Sequence, residues 1–173
     1  PHSSKQCAVG MGCSLKLVDT REMEISSQLA HAHDETIRSV DYNSNKPFNL
    51  ITGGSDRKVK FWDSRNLSKP LKVLAGHSHW VWSAKYNPCH DQLLISGGSD
   101  NLVNLWRIAS CSSAPWLGSE DNSDEPPDVK VKTMDQHEES VYHVAWSPAD
   151  AWIYASLSFD GRVIVNHVPS TEK

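Results

Sequence analysis

Short runs of apolar and polar side chains, each closed by a turn residue, set the rhythm of this chain. Lys58 to Trp62 (KVKFW) alternates as a half-buried β-strand does, and Leu50-Ile51-Thr52, ending on Gly53-Gly54, reads as the strand before it. Asp160-Gly161 is a strong two-residue hairpin signal. The runs recur in register. From His33, His77 and His137 an aliphatic residue follows four positions later (Ile37, Val81, Val141), a small apolar one at seven (Val40, Ala84, Val144) and an aromatic at nine (Tyr42, Tyr86, Trp146). A hydroxyl follows at 19 (Thr52, Ser96, Ser156) and an aspartate at 23 (Asp56, Asp100, Asp160); at 29 stand Trp62, Trp106 and, breaking the pattern, Asn166. With nine histidines in the chain, three such registers are not a chance alignment.

The first two histidines lie 44 residues apart, the period of a four-stranded propeller blade, and the second and third lie 60 apart. The extra residues fall in Cys111 to Asp128, where Pro115, Pro126, Pro127 and several serines accompany Glu120, Asp121, Asp124, Glu125 and Asp128, with no Lys or Arg. Such a composition cannot bury an apolar face, so 111–128 is expected to be an acidic, disordered loop between blades. A partial unit opens the chain: Cys7-Ala8-Val9, Gly12 in the aspartate's place, and Leu15 to Asp19 with Val18 in the tryptophan's place. The expected fold is all-β, with a partial blade at 1–24, blades at 25–67, 68–110 and 129–169, and a tail at 170–173. That makes about three and a half four-stranded blades, short of the roughly four to eight that close a propeller. Both ends would then present unpaired faces, and the chain is expected to be ordered only with the remainder of the propeller or with another chain filling the gap.

Composition narrows the function. A net charge of -4 and a pI near 6.1 give no electrostatic footprint for a phosphate backbone, so nucleic acid is not the expected partner. Apolar stretches such as Leu93-Leu94-Ile95 are far short of the roughly 20 residues that span a bilayer, and no signal-peptide pattern is visible. Cys7, Cys13, Cys89 and Cys111 form no C-x-x-C pair and read as free thiols in a reducing compartment.

Gly76-His77, together with the Trp62-Asp63 dipeptide, resembles the signature of the WD-repeat family over nearly the whole chain. The resemblance implies a seven-bladed β-propeller that binds proteins without catalysis. It also implies a buried hydrogen-bond chain in each blade, formed by His33, Thr52, Asp56 and Trp62 and by His77, Ser96, Asp100 and Trp106. The last set, His137, Ser156 and Asp160, lacks the indole because Asn166 replaces it. Alanine before His33 and glutamine before His137 replace the usual glycine. The strings HSHWVW, YNPCHDQL, VKFWDSRN and SVYHVAWSPADAW, with SLSFDGR after them, are more closely similar to the C-terminal half of a WD-repeat group of endosomal trafficking proteins, which also carries an acidic insertion before its last blade. That likeness implies a cytoplasmic adaptor, peripheral to endosomes and the trans-Golgi network, acting in vesicle traffic and endosomal recycling through subunits of tethering complexes.

His77, Ser96 and Asp100 carry the residue types of a hydrolase triad, but a nucleophile is needed once whereas this set recurs at one spacing in three repeats; a structural role is expected and no catalytic residue is assigned. His77 with His79, and His31 with His33, have no further ligands at metal-binding spacing, and Gly53-Gly54 and Gly97-Gly98 lack the lysine and helix of a phosphate loop, so neither metal nor cofactor is expected. The residues three and five after each histidine (Thr36, Arg38; Trp80, Trp82; Ser140, Tyr142) should point away from the packing face, near the residues preceding the turn aspartates (Ser55, Ser99, Phe159). Arg38, Trp80, Trp82, Tyr142 and Phe159 would there form a protein-binding rim of aromatic and arginine side chains; the alternative is that the tryptophans pack between blades. Trp62-Asp63-Ser64-Arg65 also resembles the W-D-x-R box by which some WD-repeat proteins dock on cullin-RING ubiquitin ligases as substrate receptors; the commoner role of such an arginine is simply to cap a strand end or to pair with a nearby acid.

Overall fold

The computed structural model describes residues 5–113 and 128–172. Among these, fourteen β-strands form four antiparallel sheets. The first contains β1 (Gln6–Met11), β2 (Ser14–Asp19) and β3 (Glu24–Leu29); the second contains β4 (Ile37–Tyr42), β5 (Asn49–Gly54), β6 (Lys58–Asp63) and β7 (Lys72–Ala75). The third contains β8 (Val81–Tyr86), β9 (Leu93–Gly98), β10 (Val103–Arg107) and β11 (Val129–Met134), and the fourth β12 (Val141–Trp146), β13 (Ile153–Ser158) and β14 (Val163–His167). Each sheet is a meander in chain order, the arrangement of a propeller blade, and the ring is not closed.

The second strands are buried along their whole length in the two four-stranded sheets, which is why Leu50-Ile51 and Leu93-Leu94-Ile95 are continuous apolar runs instead of alternating ones. Their glycines set the spacing between sheets. A β-carbon at Gly53 would stand 3.0 Å from Val81 Cγ1, and one at Gly97 only 2.7 Å from Val141 Cγ1, so the aliphatic residue opening each first strand fills the space above a glycine of the preceding sheet. Gly10 receives Ile37 in the same way, which identifies β1 as a second strand: among the described residues the first sheet has no first strand, and the fourth has none of the outer strand that β7 and β11 supply elsewhere.

The sheets do not follow the boundaries read from the repeat. β3 pairs with β2 and β11 with β10, so the stretch preceding each histidine closes the earlier blade. The segment 111–128 therefore joins two strands of one sheet instead of linking two blades, and 129–134 belongs to the third sheet. The repeat is one strand out of phase with the blade because the histidine register marks a unit that starts at an outer strand. Residues 114–127, for which disorder is expected, lie outside the described residues. The described ends of this segment are tied down: Ser113 N and Oγ donate to the Asp91 carboxylate (2.8 and 3.0 Å), and Asp128 accepts from Ser110 and pairs with Lys72. Ser113 is thereby held at the turn between β8 and β9, and Asp128 beside the start of β7 and the residues following β10. In the expected tail, Ser170–Glu172 forms one 3-10 turn.

Candidate protein-interaction rim

Each histidine set comes together in the structure. Trp62 Nε1 donates to Thr52 Oγ1 (2.8 Å), Thr52 Oγ1 lies 2.5 Å from His33 Nε2, and His33 Nδ1 lies 2.8 Å from Asp56 Oδ1. The second set repeats this with Trp106 to Ser96 (2.9 Å), Ser96 to His77 (2.8 Å) and His77 to Asp100 (3.0 Å). An indole only donates and a carboxylate only accepts, so the two ends dictate every proton between them: the hydroxyl donates to Nε2 and the imidazole donates from Nδ1. Asn104 adds a donor at 3.0 Å from His77 Nε2, and in its place in the second sheet Lys60 binds Ala32 O (2.8 Å) and Asp56 (3.5 Å). Burial would raise the Asp56 carboxyl, but the His33 hydrogen bond, the Asp34 amide and the Lys60 charge hold it down at about 2. Ser96 is fully buried with its oxygen engaged on both sides, an arrangement that fixes strands and offers no free nucleophile. In the fourth sheet His137 meets Ser156 (2.8 Å) and Asp160 (3.0 Å), while Asn166 turns instead to Gln136 (2.9 Å).

Directly beyond these sets lie the rim residues, and the cause of their position differs from simple alternation. In three consecutive sheets the first strand carries a β-bulge, between Ile37 and Ser39, Val81 and Ser83, and Val141 and His143. The unpaired residue is Arg38, Trp82 and Tyr142 in turn. A bulge re-aims one side chain out of the ladder, and here each is received by the residue before the turn aspartate. Arg38 Nε donates to Ser55 Oγ (2.9 Å), Trp82 Nε1 donates to Ser99 Oγ (2.5 Å), and the Tyr142 and Phe159 rings lie 4.7 Å apart. Arg38 reaches across to the next sheet, 5.0 Å from the Trp80 ring centre and 4.6 Å from that of Trp82, and the two indoles meet edge to face at 5.9 Å. Arg38 thus links the second sheet to the two indoles of the third; Trp80 is 37% exposed and Phe159 69%.

A groove of about 540 Å³ runs between them, lined by Arg38, Trp82, Tyr142 and Phe159 and also by Lys85 and His143, which reasoning from spacing did not single out. Lys85 pairs with Asp41 of the neighbouring first strand (3.0 Å). At the opposite end of the first strands, Asn43 and Asn87 each accept two backbone N–H groups of their own turn and donate to the next sheet, at Asp91 Oδ2 (2.8 Å) and Ala151 O (2.6 Å). The Tyr-Asn pairs at 42–43 and 86–87 were the available signal for them.

The W-D-x-R residues part company. Trp62 is buried in its hydrogen-bond set, whereas Arg65 is 64% exposed at its side chain, forks onto Asp63 (2.6 and 3.0 Å) and lies over the Phe48 ring at 4.6 Å. Among the described residues no group of three or more His, Cys, Asp or Glu could hold a metal ion, and no helix is long and apolar enough to cross a membrane.

Residues 1–106 match the EIPR1 beta-propeller family, and residues 128–165 match the WD domain, G-beta repeat family. The chain belongs to the EIPR1 beta-propeller family. It is 42% identical over 187 residues to the human EARP and GARP complex-interacting protein 1, covering 99% of this chain and 48% of that protein. It is 46% identical over 198 residues to the EARP-interacting protein homolog of Dictyostelium discoideum, covering 98% of this chain and 49% of that protein. The chain spans about half the length of the curated relatives it matches. In this EIPR1 beta-propeller segment, the repeated bulge is the feature that carries three different surface side chains to one end of adjacent blades.

Proposed function

We propose that this segment is part of a non-catalytic adaptor that binds subunits of the EARP and GARP tethering complexes in vesicle traffic and endosomal recycling, and that Arg38, Trp80, Trp82, Tyr142 and Phe159 form a binding surface for them. The observation that carries the site is the threefold bulge with its partners Ser55, Ser99 and Phe159. A bulge costs ladder hydrogen bonds, and its repetition with an exposed arginine and half-buried aromatic side chains favours a surface kept for contact. The relatives' names, which state interaction with EARP and GARP complexes, support the choice of partner. Affinity purification of the full-length protein from cells tests both parts, with the change Arg38→Ala, Trp80→Ala, Trp82→Ala and Tyr142→Ala run beside it after its melting temperature is matched to the parent. Tethering subunits recovered by the parent and lost from the variant support the rim. Retention in both moves the interface elsewhere on the protein, and absence from both sinks the adaptor reading. The cullin-RING substrate-receptor reading has weaker support, because Arg65 is occupied by its own Asp63 and Trp62 is buried; it requires Arg65→Ala to abolish association with a ligase adaptor.

A further inference from the structure

We infer that the rim groove recognises a short acidic peptide segment in which a carboxylate lies beside an apolar or aromatic side chain. The inference rests on the proposal that the rim is a protein-binding surface, and it adds the chemistry of what enters.

Three features of the groove point the same way. Its cation is built in advance. Arg38 is fastened through Nε to Ser55 and lies against two indoles, and its terminal nitrogens pair with no carboxylate among the described residues. A guanidinium so held keeps a fork of donors directed at a planar anion with little further loss of freedom. Among the described residues the lining contains no acid, in a chain whose net charge is -4. Lys85, also in the lining, is already paired with Asp41. One free fork matches one carboxylate, whereas a phosphorylated side chain, carrying nearly two charges, calls for a cluster of arginines that the lining lacks.

The remaining walls are aromatic. Trp82, Tyr142 and the 69% exposed Phe159 present flat apolar faces, and a space of about 540 Å³ falls within the roughly 300–1,000 Å³ of pockets that enclose a few side chains. A peptide supplies both requirements at once: an acid for Arg38 and an apolar side chain for the aromatic wall.

A displayed library of random unphosphorylated dodecapeptides, selected on the full-length protein, tests this whichever protein supplies the segment in the cell. The expected enrichment is Asp or Glu at a fixed spacing from Phe, Tyr, Trp or Leu. Arg38→Glu, after its melting temperature is matched to the parent, should weaken binding of a selected acidic peptide by roughly tenfold or more, about 1.4 kcal/mol. The same variant should gain affinity for that peptide with its acid changed to lysine, a rescue that general damage to the rim cannot give. Phe159→Ala should relax the apolar preference and leave the acidic one. Enrichment of basic or uncharged peptides, recovery of no peptide that competes at the rim, or acidic peptides bound equally well by Arg38→Glu would each overturn the inference. Its failure is separable from that of the adaptor proposal: tethering subunits lost from the quadruple variant while the library shows no acidic preference would sink the peptide chemistry and leave the rim, and the converse result would leave the groove and sink its role in tethering.

Discussion

At the scale of single residues, the buried polar sets decide where stability is most exposed to change. Ser96→Ala would leave the His77 imidazole and the Trp106 indole without their shared hydroxyl, at a cost of about 1–3 kcal/mol. Ser156→Ala should cost less, because Asn166 has left that hydroxyl with no indole to satisfy; thermal melting of the two variants of the full-length protein checks the order. The sign of the pH dependence follows from Asp56. Its folded carboxyl sits at about 2, below the ordinary value of about 3.9, so the folded state binds fewer protons than the unfolded one in that window. Its contribution, on the order of 2 kcal/mol, is complete above pH ~4 and is lost as the pH falls toward and through 2. Denaturant midpoints between pH 7 and 2 should fall more steeply for the parent than for Asp56→Asn; parallel curves would remove this carboxylate as the cause. These sets were legible because four polar types recur at one spacing. Lys60 and Asn104 were not, since each sits at the same place with different chemistry.

At the scale of elements, the bulged first strands and the glycine-bearing second strands do the positioning. Alternation alone put Arg38, Trp82 and Tyr142 at one end of the strands, yet the structure places each in a bulge, which no single-residue pattern announces because residue types on the bulge differ in every sheet. The outer strands were equally hidden. Val129 to Met134 has no contact with its sheet mates in sequence, and only the ladder with β10 shows that an insertion interrupts a blade. Gly53 and Gly97 read as turn residues in sequence; their packing role appears only when the next sheet is in place. Gly97→Ala should therefore overpack against Val141, destabilising by about 1–3 kcal/mol, and Val141→Ala should recover part of that loss in a double-mutant cycle. Additive losses would mean that the two positions do not share the interface. The last blade departs here as well, since Leu157 stands where the others have the first glycine, so whatever packs on that face meets a side chain instead of a gap.

At the scale of the molecule, the open sheets set the conditions under which any rim can exist. Three of the rim's five side chains come from blades whose neighbours are present on both sides in this segment or are braced by the Asn43 and Asn87 links, but Tyr142 and Phe159 belong to the fourth sheet, which ends at β14 with no outer strand among the described residues. On β14, Val163 and Val165 are 64% and 61% exposed, and on β1 Val9 and Met11 are 42% and 57% exposed. Apolar strands with an unpaired edge template further pairing, and repeat proteins draw their stability from each unit's neighbours. A polypeptide of residues 1–173 produced alone should therefore self-associate, and its fourth sheet should show the least hydrogen-exchange protection. Supplying the rest of a full-length relative's propeller as a separate chain should convert it to a defined one-to-one complex and raise protection in β12 to β14, which light scattering after size exclusion and exchange measured by mass spectrometry can follow. A monodisperse, cooperatively melting monomer of 1–173 would refute this and would allow the rim, including its groove, to be studied on the segment by itself.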